Sequence, residues 1–376
     1  MNPDTSVNNQ PVNNVPANNQ PPPPGPDLAR YHRQMIFSGL GQAGQVALSQ
    51  ATVVIVGCGA TGTALSNLLA RAGVGRLRII DRDFIELNNL QRQVLFDEQD
   101  IEQALPKAEA AARKLRMVNS QIEIEGIVAD VNPGNVLGFI EDATLVLDGT
   151  DNFSTRFLLN DACLARGKPW IYTGVIASYG MSATFIPPGA EATLPGERQS
   201  TGCLRCFMEE PPPPGTTATC DTAGVIGPAV ALITATTAAE VMKLLTGRGT
   251  LNAGLLHMDL WTHEYMQFGG LARQPDCPAC GRREFEFLNA QAGVSGAVLC
   301  GRNAVQVSSG GRSQLDLARL ADQLTHVATA VKRNEYLLRA QIDGYEFTVF
   351  PDNRAIIKGT ESAETALTLY AKYIGG

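Results

Sequence analysis

The sequence predicts an α/β protein whose larger part is a doubly wound parallel sheet and whose last part is a small α+β domain. A continuous, mostly β-branched run at 51–56 is typical of a strand buried on both faces. Apolar strand patterns then alternate with helical patterns as far as residue 175, an order that packs helices on both faces of a parallel sheet. From about residue 288 the pattern changes to short strands joined by tight turns.

The first half of the chain carries the alternating elements. Runs of Val, Ile and Leu predict strands, and apolar residues at helical spacing predict helices. The predicted strands are 51–56, 76–80, 121–129, 143–147 and 170–175, and the predicted helices are 27–50, 63–72, 107–117 and 156–165. Residues 1–26 are rich in Asn, Gln and Pro and offer few apolar side chains to a core, so we expect a disordered tail.

The second half is less regular. Residues 183–214 are loop-rich, and 225–245 read as a long helix of small residues before two strands at 254–260 and 264–270. The C-terminal pattern predicts strands at 297–299, 304–307, 336–342, 345–350 and 354–358, and helices at 315–324 and 362–373. We therefore expect three regions, which are the tail 1–26, a main domain 27–287 and a small α+β domain 288–376.

The composition narrows the function classes. The chain has 376 residues, of which 44% are hydrophobic and 18% charged, as in ordinary globular proteins. A net charge of −7 makes nucleic acid an unexpected partner. We expect no membrane span, because no apolar run reaches the roughly 18 residues that cross a bilayer, and no leader peptide, because no basic segment precedes an apolar one. These expectations point to a cytoplasmic protein.

Two Cys-x-x-Cys pairs indicate a metal site. They are Cys203 with Cys206 and Cys277 with Cys280, and together they supply the four thiolates of a closed tetrahedral zinc site. In a reducing compartment this spacing indicates metal before disulfide, although two disulfides or four unrelated thiols remain the alternatives. A shared zinc ion would join two distant segments of one fold.

A glycine-rich loop follows the first predicted strand and opens a helix. Gly57, Gly59 and Gly62 permit a tight turn, and the helix N-terminus favours anions. Asp81 ends the next strand about 20 residues later, where a carboxylate accepts ribose hydroxyls in Rossmann-like folds. The pattern predicts a nucleotide site but does not separate a dinucleotide from ATP.

Further charged residues follow strands at the same predicted edge. Arg92 and Lys107 are cations placed to reach phosphates, and Asp151 follows the strand at 143–147. One carboxylate beside phosphate oxygens suits Mg²⁺. Cations, a metal-type carboxylate and a glycine loop at one edge indicate phosphoryl or adenylyl transfer.

These motifs occur in the order of the ThiF/MoeB/HesA family, bacterial relatives of the ubiquitin-activating enzymes. The sequence resembles that family over about residues 28–285. The matching motifs are Arg30-Tyr-His-Arg33-Gln34, the glycine loop, Asp81, Asn89-Leu-Gln-Arg92-Gln93, Pro106-Lys107, Thr150-Asp151-Asn152 and the two Cys-x-x-Cys pairs.

The resemblance implies an enzyme that uses ATP and Mg²⁺ to adenylate the C-terminal glycine of a ubiquitin-like sulfur carrier, in thiamine, molybdopterin or related biosynthesis. It implies a homodimer, a zinc-stapled carrier-binding half, and a sulfur donor such as a cysteine desulfurase as a candidate further partner. By motif position, Asp81 would hold the ribose, Arg92 and Lys107 the phosphates, and Asp151 the Mg²⁺. Arg33 would come from the partner subunit as an arginine finger, and Asn89 and Gln93 would line the pocket.

Several positions stay open. Cys220, just before the long helix, matches the place where some family members use a cysteine for a thioester or persulfide step, while others need none. Ala104 stands where the family often has Gly, which bears on the loop before Lys107. Gly375-Gly376 resembles a carrier tail but also fits a plain helix end. Cys58, Cys163 and Cys300 are expected to be buried, inert thiols.

Three other functions compete with the carrier adenylyltransferase. A related enzyme would adenylate a small molecule or a tRNA base, although the chain lacks a basic cluster. An NAD-dependent oxidoreductase would use the glycine loop and Asp81 but leaves Arg92, Lys107 and Asp151 unexplained. A non-catalytic scaffold would bind a ubiquitin-like protein without chemistry.

Overall fold

The computed structural model describes residues 28–212, 220–290, 295–299, 303–308 and 315–374. The strands of the main part are β1 Thr52–Val56, β2 Arg76–Asp81, β3 Glu123–Val128, β4 Leu145–Asp148, β5 Trp170–Ile176, β6 Tyr179–Phe185, β7 Gly254–Asp259 and β8 Glu264–Gly270. Its helices are α1 His32–Ile36, α2 Gly41–Gln50, α3 Ala60–Ala72, α4 Glu98–Glu102, α5 Lys107–Val118, α6 Val136–Ile140, α7 Phe153–Arg166, α8 Leu204–Phe207, α9 Cys220–Ala223 and α10 Gly227–Thr246.

The last part of the chain forms its own set of elements. Its strands are β9 Ser295–Leu299, β10 Ala304–Ser308, β11 Ala330–Arg333, β12 Leu338–Ile342, β13 Tyr345–Val349 and β14 Arg354–Lys358. Its helices are α11 Leu317–Leu324 and α12 Ala363–Tyr373. The expected tail 1–26, Cys300 and Gly375-Gly376 lie outside the described residues.

One eight-stranded sheet runs through the main part in the order β3-β2-β1-β4-β5-β6-β7-β8. Strands β3 to β5 are parallel, and strands β5 to β8 pair antiparallel. The predicted doubly wound half is therefore confirmed, but the sheet is mixed and not parallel throughout. The sequence does not predict β6: it begins in residues with no expected element and runs into the segment 183–214 expected to be loop, because its small and polar residues carry no β-branched run.

The alternation of side chains along β1 explains why this strand is apolar at every position. Val53 and Ile55 pack into the core beneath α2, α3, α5 and α10, whereas Val54 and Val56 pack against α6 and α7 on the other face. All four residues are at most 2% exposed. The order of β1 between β2 and β4 opens a crevice at the carboxyl ends of β1 and β4, where ligands bind in open α/β sheets.

Two local expectations are wrong. The helix expected over 27–50 is interrupted, because Phe37 is extended and Gly41 has a φ of +64°, so α2 starts afresh. The expectation that no apolar run could cross a membrane also fails: among the described residues, α10 is long and apolar enough by length and composition. Its apolar composition has an internal explanation, since α10 packs on α2, α3, β5 and β6.

The C-terminal part folds as a six-stranded antiparallel sheet in the order β11-β12-β13-β14-β10-β9. Helices α11 and α12 cover it with Leu317, Leu320, Leu324 and Tyr370 over a core that includes Phe347. The expected tight turn is present at Asp343 and Gly344, whose φ angles of +52° and +83° suit the two-residue hairpin between β12 and β13.

Candidate nucleotide site and metal cluster

The glycine loop closes against the end of β4. Gly57 has a φ of +92°, and a Cβ there would lie 2.6 Å from the backbone of Gly149. A Cβ at Gly62 would collide with the carbonyl of Gly57, so α3 approaches the loop only because this residue is glycine. A Cβ at Gly59 would have no neighbour closer than 4.0 Å, so space remains above the N-terminus of α3. A phosphate group fits that position.

Asp81 is fixed at the end of β2 by two backbone groups. Its carboxylate accepts hydrogen bonds from the N–H of Cys58 in the glycine loop and from the N–H of Asp83, both at 2.6 Å. Burial raises the pKa of this carboxyl, although Lys107 opposes that effect. A fixed carboxylate that keeps free lone pairs suits a ribose diol.

Lys107 lies at the start of α5 and is 4% exposed. Its backbone N–H donates to the carbonyl of Asp83 at 2.9 Å, and its Nζ lies 3.4 Å from Oδ2 of Asp83. Ala104, three residues earlier, has a φ of +49°. The chain therefore takes a left-handed turn here with alanine in the place where glycine is expected.

The segment Asn89–Gln93 lies beside the glycine loop. Asn89 is buried, and its Oδ1 accepts the N–H of Glu86 at 3.1 Å, which fixes the start of the segment. Gln93 is 4% exposed, its side-chain amide faces Gly59, and its Oε1 is buried without a hydrogen-bond partner in the described residues. Arg92 is half-buried and donates to the carbonyl of Asn88 at 2.8 Å. An orphaned buried acceptor beside the loop favours a ligand there.

Asp151 is the exposed carboxylate at the β4 edge. It precedes α7 and accepts no hydrogen bond from the described residues, while the neighbouring Asp148 is buried and paired with Arg156 at 2.9 Å. The negative charge of Asp151 is among the charges that raise the pKa of Arg82 and of Arg156. An exposed carboxylate at the carboxyl end of a strand is the kind of ligand that Mg²⁺ uses.

Arg33 lies away from these residues. Its helix packs where α5 ends, since the neighbouring Arg30 donates to the carbonyl of Val118 at 3.0 Å, and Lys107 is at the opposite end of α5. Arg33 is exposed and forms no ion pair with the described residues. The arginine of the same chain therefore does not join the site.

The four cysteines of the two Cys-x-x-Cys pairs form one buried cluster. All four sulfurs lie within 4.8 Å of one another, with 3.6 Å between Cys203 and Cys277 and 3.4 Å between Cys206 and Cys280. A tetrahedral zinc site with Zn–S bonds of about 2.3 Å separates its sulfurs by about 3.8 Å. Disulfides are excluded, because they require about 2.05 Å. Four thiolates buried this close together would repel one another, so the cluster needs a cation to hold them.

The cysteine cluster packs on the C-terminal half of α7. Leu164 is in contact with the cluster, and the N–H of Leu204 donates to Oδ1 of Asn160 at 2.9 Å. Asn160 lies about 10 Å along α7 from Phe153, the first residue of the helix, which Asp151 precedes. Between cluster and sheet lies an apolar cavity of about 100 Å³, and its lining residues are Phe153, Arg156, Tyr172, Met181, Leu204, Phe207, Met208 and Leu255. The cluster thus supports the wall behind the nucleotide edge but contributes no thiol to it.

Outside the cluster, the structure describes two cysteines that were expected to be buried and one that was expected to precede the long helix. Cys58 and Cys163 are fully buried, and burial raises the pKa of both thiols. Cys220 opens α9, and the side chain of Gln91 donates to the carbonyl of Val225 at 3.4 Å, so the segment after α9 adjoins the Asn89–Gln93 segment. Whether Cys220 reacts remains a prediction.

Sequence reasoning missed the residues that hold the predicted ones. Asp83 pairs with Lys107, and Arg82 pairs with Asp130 at 2.9 Å across the ends of β2 and β3. The only signal was the charged run Asp81-Arg82-Asp83, which is ordinary for a loop. Arg156 is buried against Asp148 and over the Tyr172 ring at 5.0 Å, which its helical position did not indicate.

Comparison with known proteins agrees with this geometry. The ThiF family matches residues 31–279. The chain is 41% identical to the sulfur carrier protein ThiS adenylyltransferase of Bacillus subtilis, over 92% of this chain and 99% of that protein. It is 38% identical to the sulfur carrier protein adenylyltransferase of Thermus thermophilus, over 68% of this chain and 91% of that protein. The match to the B. subtilis protein covers 92% of this chain, so it extends past the main domain into the C-terminal part.

Among solved structures, the chain resembles MccB of E. coli with ATP. The TM-score is 0.57 at 25% identity, and the match covers 69% of this chain and 76% of that chain. A further relative, the adenylyltransferase and sulfurtransferase MOCS3 of Sus scrofa, is 36% identical over 68% of this chain and 54% of its own length.

Proposed function

The chain belongs to the ThiF family, and from that premise we propose that it is an ATP-dependent adenylyltransferase acting on a ubiquitin-like sulfur carrier. The single observation that carries the proposal is the convergence of the glycine loop, Asp81, Lys107 and Asp151 on the crevice between β1 and β4. Binding of a dinucleotide by an oxidoreductase would not require Lys107 or Asp151. The extended identity to the B. subtilis protein favours a ThiS-like carrier over a MoaD-like one.

The residues take distinct parts in binding ATP. Asp81 holds the ribose, and the glycine loop with Asn89 and Gln93 lines the phosphate path, where the orphaned Oε1 of Gln93 gains a partner. Arg92 and Lys107 face the phosphates, with Asp83 keeping the ammonium group of Lys107 in place. Asp151 is the residue that would hold Mg²⁺, which supplies charge neutralisation of the phosphate oxygens when bound.

The reaction is an adenylyl transfer to a carboxylate. A carboxylate oxygen of the carrier's terminal glycine attacks the α-phosphorus, the bond to the bridging oxygen breaks, and pyrophosphate leaves with that electron pair. The products are an acyl-adenylate and pyrophosphate, and no proton or electron is exchanged. Negative charge grows on the departing pyrophosphate, so fixed cations at Arg92 and Lys107 lower the barrier.

We assign a structural zinc ion to Cys203, Cys206, Cys277 and Cys280. The four buried sulfurs have the spacing and the chemistry of a closed Cys₄ site, which leaves no position open for catalysis. Zinc then ties the segment before α9 to the segment after β8 and supports the carrier-binding half.

A homodimer supplies the missing cation. Arg33 is exposed, and Ile36 and Phe37, which follow it closely along the chain, are 65% and 69% exposed, so two large apolar side chains lie open near the arginine. Burial of such a surface between two copies would bring Arg33 toward the partner's phosphates as an arginine finger. A reaction that uses ATP and reduced thiols suits the cytoplasm, and a cysteine desulfurase is a suitable sulfur donor.

Cys220 belongs to a second, separate step. A thiolate at this position would attack the acyl-adenylate carbonyl and release AMP, forming a thioester with the carrier. Because adenylation does not need the thiol, Cys220→Ser should keep pyrophosphate exchange. Trapping of a thiol-sensitive carrier adduct, with and without Cys220, decides whether this step exists.

The test of the function is ATP–pyrophosphate exchange with purified carriers. We expect exchange that requires Mg²⁺ and a carrier ending in Gly-Gly, with a ThiS-like carrier more active than a MoaD-like one and no exchange with a carrier lacking the last glycine. Bulk tRNA and free amino acids are the controls for the competing adenylation activities, and NADH binding tests the oxidoreductase. Absence of exchange with every carrier would sink the proposal.

A further inference from the structure

The C-terminal domain, described over residues 295–299, 303–308 and 315–374, lies directly on the segment that follows Asp81. Phe84 is 8% exposed because Ala304, Leu337, Phe350 and Ile356 of the C-terminal domain enclose it. The guanidinium of Arg339 lies 4.3 Å from the centre of the Phe84 ring. The contact is therefore a closely packed interface between the two domains, placed beside the nucleotide site.

Arg354 of β14 binds the backbone between two site residues. It is 2% exposed, stacks 3.9 Å from the Phe350 ring centre, and donates to the carbonyl of Arg82 at 2.9 Å. Arg82 stands between Asp81, the ribose carboxylate, and Asp83, the partner of Lys107. The guanidinium thus fixes the backbone at Arg82, between the two residues that carry these carboxylates.

A second contact holds the ends of β2 and β3 together. Nε2 of Gln306 donates to Asp130 at 3.0 Å, and the other oxygen of that carboxylate pairs with Arg82 at 2.9 Å. Lys358 pairs with Glu86 at 3.2 Å, and Glu86 caps the turn that begins the Asn89–Gln93 segment. Contacts from β10 and β14 therefore reach both sides of the Asp81 loop.

A third contact supports the turn before Lys107. Nδ2 of Asn334 donates to the carbonyl of Ala104 at 3.1 Å. Ala104 has a φ of +49°, a left-handed conformation that strains a non-glycine residue. A hydrogen bond from the C-terminal domain helps to offset that strain, so the turn that presents Lys107 has external support.

From these contacts we propose that the C-terminal domain positions the ATP-binding segments, with Asn334, Arg354 and Lys358 as positioning residues for Asp81, Lys107 and the Asn89–Gln93 segment. The inference rests on the proposed function, because it assumes that these segments bind ATP. None of the three residues needs to touch ATP. Their part is to keep ligand groups in place before ATP arrives, which lowers the cost of ordering them on binding.

Each decisive variant changes one residue of the full chain and removes its polar contacts with the ATP-binding segments. Asn334→Asp keeps the side-chain oxygen that accepts the N–H groups of Tyr336 and Leu337 but loses the donor to Ala104. Lys358→Met removes the pair with Glu86 and retains a long side chain. Lys372→Met is the matched control, because Lys372 pairs with Asp343 inside the C-terminal domain at 3.3 Å. Both test positions are half-buried, so folding should survive.

The measurements are the dissociation constant for ATP without carrier, and KM for ATP and kcat in carrier-dependent exchange. We expect the double variant Asn334→Asp/Lys358→Met to weaken ATP binding and raise KM for ATP about tenfold, with the KM for the carrier and the zinc content unchanged. The single substitution Lys358→Arg keeps the positive charge and should leave ATP binding as in wild type. Lys372→Met should also have the wild-type dissociation constant and KM for ATP. Arg354→Lys retains a charge but only part of the contact, so it should also weaken ATP binding and raise KM for ATP.

Unchanged ATP affinity and KM in a folded double variant would overturn the inference. A fall in kcat alone, or equal effects from Lys372→Met, would also overturn it, because general destabilisation would then explain the data. If wild type binds ATP but exchanges with no carrier, the proposed function fails while the ATP titrations still test the positioning role.

Discussion

Nζ of Lys107 lies 3.4 Å from Oδ2 of Asp83, and Lys107 is only 4% exposed. A buried ammonium group keeps its charge only beside an anion, so this pair retains a cation at the edge of the glycine loop until phosphate arrives. Asp83 also accepts the backbone N–H of Lys107 through its carbonyl. One residue therefore fixes both the position of the lysine backbone and the charge of its side chain.

Lys107→Met should lower kcat/KM for ATP in the exchange assay by about 10²–10³, because a fixed cation facing the developing charge is lost. Asp83→Asn should cost less, about tenfold, since the amide still accepts a hydrogen bond from the ammonium group. Lys114→Met, on the same helix but paired with Asp97 at 2.7 Å, is the control and should stay close to wild type. An active Lys107→Met enzyme would contradict the assigned role.

Co-expression of Arg33→Ala and Asp151→Ala chains tests the arginine in trans. Each variant alone should be nearly inactive. Random pairing makes half of the dimers mixed, and each mixed dimer has one site with both residues intact, so activity should recover to about a quarter of wild type. Purified homodimers of each variant, measured separately, are the controls. No recovery in verified mixed dimers would place Arg33 outside the partner's site.

Loss of the metal should destabilise the chain without removing a nucleotide ligand. Cys277→Ser should lose the zinc ion and lower Tm by about 10 °C or more, because structural metal binding is folding free energy. Zinc content by mass spectrometry and thermal melting are the measurements. Cys163→Ala removes a buried thiol outside the cluster and should keep one zinc per chain. Equal zinc content in both variants would show that the cluster is not the metal site.

Asp161 should make stability depend on pH between about 4 and 6. Burial raises the pKa of this carboxyl to about 6, although its Oδ2 accepts the N–H groups of Phe287 and Leu288. In this range the folded state holds a proton that the unfolded state has released, so the free energy of unfolding falls as pH rises. The maximal slope for one proton is about 1.4 kcal/mol per pH unit.

Asp161→Asn isolates this effect, because the amide oxygen still accepts both N–H groups and cannot ionise. The difference in unfolding free energy between variant and wild type should grow in favour of the variant from pH 4 to pH 6 and then stay constant. Taking this difference cancels proton release from the cysteine cluster, which is common to both proteins. A difference that does not change with pH would refute the raised pKa.

The parts of the site that the sequence predicts are those set by short-range chemistry. A Cys-x-x-Cys pair presents both sulfurs to one point, and Gly57 and Gly62 sit where a side chain would strike backbone, so local spacing suffices. The doubly wound strand order follows for a similar reason, since the run Val53–Val56 is buried on both faces. These features need no knowledge of distant residues.

The parts that escape prediction depend on partners far along the chain. β6 contains Gly180 and Ser182 and becomes a strand because β5 and β7 flank it, so pairing overrides weak local propensity. The contact of Arg354 with the carbonyl of Arg82 spans 272 residues and leaves no trace in local pattern. Arg33 lies apart from the other predicted site residues of its own chain, so its part in a partner's site stays a prediction.

The enclosure of Phe84 by residues of the C-terminal domain has a consequence for synthesis. The ATP-binding half emerges from the ribosome first, yet the contacts that cover its loop involve residues 272 positions later. At ordinary translation rates that interval lasts roughly 15 to 55 s. During it Phe84 stays open to water and the turn at Ala104 lacks its support. The nascent chain therefore gains these supporting contacts only when its final strands have been made, and we expect a chain interrupted before β14 to bind ATP more weakly than the full-length protein.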